Sequence, residues 1–226
     1  MNMPTNFRTV WRYGPIILML ASCANHPQPP DWQTNAFGEL KSFSSTYLSG
    51  NTRLAEQDFA RARSDIASTG RGDLVARAEL VRCATRVASL EFDDCAGFQP
   101  LAQDADATER SYAAYLTGHW KAIDPALLPA HHRAIVSAVA TAGDKSLLTA
   151  IDDPLSRLVA AGALLQRGRL TPADIIAATE TASAQGWRRP LLGWLGIQVR
   201  RAQQAGDGIA VARLQRRIAL VTKPLE

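Results

Sequence analysis

The spacing of the apolar residues narrows the fold of this chain more than any other feature. They recur every three or four positions along most of its length and nowhere alternate with polar residues over a β-branched run. That period lines one stripe of an α-helix and cannot line one face of a strand. Glycine and proline cut the pattern at short intervals. The chain therefore predicts an all-α fold of about ten short helices in antiparallel hairpins, either a solenoid or a compact bundle.

A first helix is predicted over 31–48, with Trp32, Ala36, Leu40, Phe43 and Tyr47 on one stripe, stopped by Ser49-Gly50-Asn51. A second over 52–68 turns Leu54, Ala55, Phe59, Ala62 and Ile66 inward. Asp73 offers an N-cap for a third that is apolar on two stripes, Leu74, Ala78, Val81, Thr85 and Ala88 on one and Leu80, Cys83, Val87 and Leu90 on the other. A helix apolar on both sides belongs at the centre of a fold. A fourth is expected over 106–121 with Tyr112, Tyr115, Leu116 and Trp120. A fifth follows Pro125 or Pro129 and reaches Thr141, with Ile135, Val136 and Val139 inward, and a short sixth starts at Ala142-Gly143-Asp144. Asp152-Asp153-Pro154 opens a seventh over 155–166, with Leu158, Val159, Gly162 and Leu165 on one face. Thr171-Pro172 caps the eighth, Pro190 opens the ninth, and the last runs over 209–221.

The N-terminus follows another rule. Arg8 and Arg12 precede the short apolar run Ile16-Ile17-Leu18-Met19-Leu20, and Leu20-Ala21-Ser22-Cys23 closes it. The run falls short of the roughly 20 apolar residues that cross a bilayer, and its order of charge, apolar centre and small residues is that of a secretory signal. Leu-Ala-Ser-Cys resembles the lipobox of bacterial lipoproteins. The resemblance implies cleavage of residues 1–22 and a lipid thioether on Cys23. Ala24 in place of aspartate, by the same resemblance, implies the outer membrane, with the body in the periplasm. Residues 23–30, with three prolines between Asn25 and Pro30, read as an extended tether, and 31–226 as a single domain.

That location reorganises the cysteines and the charges. With Cys23 assigned to lipid, Cys83 and Cys95 are an even pair in an oxidising compartment, which predicts a disulfide. The bridge requires the residues after Leu90 to fold back along the helix that carries Cys83. A buried free thiol at Cys83 and a redox or metal site are the competing readings. Residues 23–156 hold 12 basic and 17 acidic side chains, whereas 157–226 hold 11 basic and 4 acidic. The C-terminal third is thus a basic module. Its candidate anion-binding residues are Arg188, Arg189, Arg200, Arg201, Arg213, Arg216 and Arg217. A periplasmic body removes nucleic acid as their partner and leaves anionic lipid headgroups, lipopolysaccharide phosphates or an acidic protein surface. A solvated helix face is the structural alternative.

Gly50, Ala55, Phe59 and Ala62 resemble the turn and second helix of a tetratricopeptide repeat, and Trp194-Leu195-Gly196 before Gln204-Ala205-Gly206-Asp207 resembles the first helix and turn of another. The first departs from the pattern in placing its aromatic at Tyr47, and the second lacks a large residue after its small one. Close helix packing marked by small and aromatic residues explains the same spacing.

Catalytic patterns are absent from the sequence. His26 lies in the tether, His119 is isolated, and the adjacent His131 and His132 point about 100° apart on a helix and cannot share one metal. No H-E-x-x-H or G-x-S-x-G occurs. Asp152-Asp153 reads as a helix cap. Asp93-Asp94 reads as a solvated pair beside the cysteine loop, with a weak cation site as the alternative. The expectation is a non-enzymatic, membrane-anchored lipoprotein without cofactor or metal, docking an envelope protein on its helical hairpins. An envelope enzyme acting on peptidoglycan through an isolated Glu39 or Glu109 is the alternative expectation.

Overall fold

At five of the nine α-helix starts among the described residues a side chain satisfies a free backbone amide. In the computed structural model, which describes residues 29–139 and 145–223, the helices are α1 (Asp31–Leu48), α2 (Thr52–Ala67), α3 (Gly72–Ala88), α4 (Ala107–Leu116), α5 (Ala130–Ala138), α6 (Pro154–Gln166), α7 (Pro172–Ala184), α8 (Arg188–Gln204) and α9 (Gly208–Thr222). No strand occurs among the described residues. The signal segment, Cys23 and all but the end of the tether lie outside them. Asn51, Asp106, Asp153, Thr171 and Asp207 each accept a backbone N–H in the first turn of the helix that follows. At Asp106 and Thr171 the bond is reciprocated by Glu109 and Asp174, forming capping boxes.

Several starts and stops differ from the sequence reading. Asp73 lies inside the first turn of α3 rather than at its cap, where it pairs with Arg71 at 2.5 Å. The fourth helix ends at Leu116 instead of 121, because Gly118 turns the chain with φ +75° and Trp120 starts a separate 3₁₀ turn. The predicted ninth helix, which is α8, begins at Arg188, two residues before Pro190. Leu54 is 39% exposed, on the first turn of α2 where the core has not yet been reached. The expected start of a sixth helix at 142–144 lies outside the described residues, and the segment that follows forms a single 3₁₀ turn, Leu148–Ala150.

Packing places α3 at the centre, as its two apolar stripes required. Val75 and Ala78 join Phe43, Tyr47 and Phe59 of the α1–α2 hairpin in a smaller cluster. Ala76, Leu80, Cys83, Ala84, Val87 and Ala88 face the main core, built with Tyr115 and Leu116 of α4, Leu158 to Leu164 of α6, and Trp194 and Leu195 of α8. From α6 the chain continues through α7 and α8 to α9, each helix packing on the one before. At the crossing of α3 and α6 the backbones touch. A Cβ at Gly162 would lie 2.4 Å from the Val87 carbonyl oxygen, so only glycine fits there.

Candidate interaction surface

The final hairpin is fastened at both ends. Gly206, with φ +70°, reverses the chain after α8, and Asp207 Oδ1 accepts the Ala210 amide at 2.8 Å. At the opposite end Arg188 donates twice to the Val221 carbonyl, at 2.8 and 3.2 Å. Between these ties α9 rests on α8, and Leu214 is its one fully buried residue.

This geometry divides the seven arginines that the sequence grouped together. Arg188 is occupied by the end of α9. Arg189 is a clamp between distant segments. Its Nε donates to the Tyr47 carbonyl at 2.8 Å, Nη1 meets Glu91 at 2.9 Å, Nη2 donates to Thr52 Oγ1 at 2.5 Å, and its guanidinium lies 4.1 Å over the Tyr47 ring. Burial raises the Tyr47 pKa far above its usual value, and the hydrogen bond that its hydroxyl donates to Glu91 adds to the effect. Arg217 reaches Glu180 of α7 at 3.6 Å. Arg200, Arg201, Arg213 and Arg216 are exposed, and no ion pair engages them among the described residues.

The face that carries Arg213 and Arg216 also carries features that the sequence reading missed. Ile209 and Leu220 are 86% and 73% exposed and share it. Their signal was present in the sequence, since eleven residues is close to three helical turns and residues 208–223 contain no acidic side chain.

Cys83 and Cys95 stand at disulfide distance, with sulfurs 1.99 Å and Cα atoms 5.1 Å apart. Leu90, Asp94 and Cys95 all adopt positive φ, which reverses the chain sharply enough for it to return along α3. Asp93 is not free in solvent, because Arg86 pairs with it at 3.2 Å. Arg82, Arg86, Asp93 and Gly97 line a depression of about 220 Å³ beside the cysteines. Its charges are of both signs, and Arg82 is drawn away to Glu56 at 2.7 Å.

The two carboxylates considered for catalysis are both engaged. Glu109 is buried, closes the capping box of α4 and pairs with Arg77 at 2.5 Å. Glu39 accepts from Arg61 at 3.0 Å through one oxygen, while the other is buried without a hydrogen-bond partner. His132 is buried against the Tyr115 ring at 4.7 Å, and burial, with His131 beside it, lowers its pKa to about 3. Among the described residues no three His, Cys, Asp or Glu side chains gather in a way that holds a metal, and no helix is long and apolar enough to cross a membrane.

Among the described residues the chain is all-helical, and its α8–α9 hairpin presents a basic outer face. Comparison with protein-family models, curated proteins and solved structures found no match.

Proposed function

We propose that this protein is a non-enzymatic, membrane-anchored interaction module of the bacterial envelope. Lipid on Cys23 holds it at the outer membrane, the proline-rich tether spaces the body from the lipid, and the helical domain docks an envelope protein in the periplasm. The observation that carries the reading is the outer face of α9, which no described residue covers and where Arg213 and Arg216 lie between the exposed Ile209 and Leu220. Arginine is enriched at protein interfaces, and here two arginines stand between two exposed apolar side chains. The Cys83–Cys95 bridge belongs to the same reading, as the oxidising periplasm maintains it.

Fractionation of cells expressing the Cys23→Ala chain tests the anchor. The parent is expected with the membranes and the variant in the soluble periplasmic fraction, and a variant that stays with the membranes overturns the lipid assignment. Release of fragments from peptidoglycan by the purified, unlipidated protein, lost on Glu39→Gln, would overturn the non-enzymatic reading.

A further inference from the structure

The outer face of α9 has a specific composition. Ile209, Ala212, Arg213, Arg216, Ala219 and Leu220 are all exposed and fall within an arc of about 120° around the helix axis. The stripe is about 16 Å long, with an apolar residue at each end, two unpaired cations between, and alanines alongside. No described residue covers this stripe, whose Ile209 and Leu220 are 86% and 73% exposed, whereas the outer face of α1 shows one such residue, Phe37, among the polar Gln33, Thr34, Lys41 and Ser45.

We infer that the outer face of α9 is the seat of an acidic amphipathic helix from a partner protein, which extends the stack by one helix. This rests on the reading of the body as a docking module and names the chemistry of what it docks. Ile209, Arg213, Arg216 and Leu220 follow the i, i+4, i+7, i+11 spacing by which one helix engages another element along its length. Ala212 and Ala219 let a second helix axis approach to the short end of the usual range, about 8 Å. Asp or Glu at the centre of the incoming helix meets Arg213 and Arg216, whose planar guanidinium groups take carboxylates in paired hydrogen bonds. Apolar residues at its two ends cover Ile209 and Leu220.

A bilayer fits the face less well. An interfacial helix sinks its apolar face about 5–10 Å into the boundary and keeps its cations on the opposite side or the flanks. Here the arginines share the arc of Ile209 and Leu220, so insertion of the apolar pair would carry the charges with it. A protein groove with carboxylates in its middle meets both at once.

Photo-crosslinking residues placed at 212 and 219, with position 57 on the exposed side of α2 as control, test this in intact envelopes. The expected result is an adduct to one protein from 212 and 219 but not from 57, with a crosslinked peptide that spaces Asp or Glu three or four residues apart. Arg213→Glu with Arg216→Glu should lower the yield by about tenfold or more, since like charges then face each other. Ile209→Ser should lower it as well, while circular dichroism shows both variants folded. Adducts of lipid mass, adducts to a second copy of this chain, no adduct at either position, or an unchanged yield after charge reversal would each overturn the inference. The anchor is scored separately: adducts formed by a parent chain recovered in the soluble fraction, or by a Cys23→Ala chain that stays with the membranes, refute the lipid anchor and spare the docking face.

Discussion

Gly162→Ala tests the central crossing of the fold. The added methyl would stand 2.4 Å from the Val87 carbonyl oxygen and 2.7 Å from Val87 Cγ1, where ordinary contact begins near 3.4 Å. The obstacle is backbone, so no rotamer change relieves it, and α6 must retreat from α3 by about 1 Å. A gap of that size forfeits a quarter to a half of the dispersion well at each contact it opens. Overpacking of this kind costs about 1–3 kcal/mol and sometimes more, offset by about 1 kcal/mol of helix propensity gained in replacing glycine by alanine. The net expectation is a loss of about 1–2 kcal/mol, or about 2–8 °C in Tm for a domain of this size. Gly196→Ala in α8 is the matched control. Nothing lies within 4 Å of its added methyl, so the propensity gain stands alone and Tm should rise by about 2–4 °C. Thermal and urea denaturation followed by far-ultraviolet circular dichroism reads both. Val87→Ala should not rescue Gly162→Ala, because the closest obstacle is the carbonyl and not the side chain. If Gly162→Ala melts at or above the parent, the backbones do not touch there and the reasoning fails.

The remaining predictions use the same assays. His132 binds its proton in the unfolded chain near pH 6.5 but in the fold only near pH 3. The unfolded state thus holds more protons across that window, and stability falls on acidification from pH 6.5 toward 3, by at most about 1.4 kcal/mol per pH unit from this residue. His132→Phe should flatten that slope, and an identical slope in parent and variant refutes the assignment. Arg189→Ala removes the bonds to the Tyr47 carbonyl, Thr52 and Glu91 and should cost about 2 kcal/mol, most of it from the first two because the partly exposed Glu91 pair is screened; a urea midpoint equal to the parent's would refute the clamp. Mass spectrometry of the non-reduced protein should find Cys83 linked to Cys95, and Cys95→Ser should lower stability by about 3 kcal/mol. Two free thiols in periplasmic protein would refute the bridge.

The residues that were legible in the sequence are those whose partners are near in the chain. Asp153 with Pro154, and Thr171 with Pro172, announced α6 and α7 because a cap bonds an amide two or three residues away. The two stripes of α3 placed it at the centre because helical periodicity is local. The end of α4 was misplaced, since Tyr115, Leu116 and Trp120 keep a helical spacing across Gly118. Trp120 nevertheless reaches the core from its own turn, with Nε1 donating to the Tyr115 carbonyl at 3.1 Å.

Charge was the opposite case. Composition by itself determined the basic C-terminal third with its surplus of arginine, and the order of the residues determined an all-helical chain and several of its helix starts. Which arginines are free was decided by tertiary structure alone. Arg188 and Arg189 are neighbours of Trp187 in the sequence, yet one ends on Val221 and the other on Tyr47, 142 residues away. Arg213 and Arg216 are chemically the same and remain bare. A side chain's charge is fixed by its type, whereas its availability depends on what the folded chain brings within about 3 Å of it. No pattern along the sequence contains that distance.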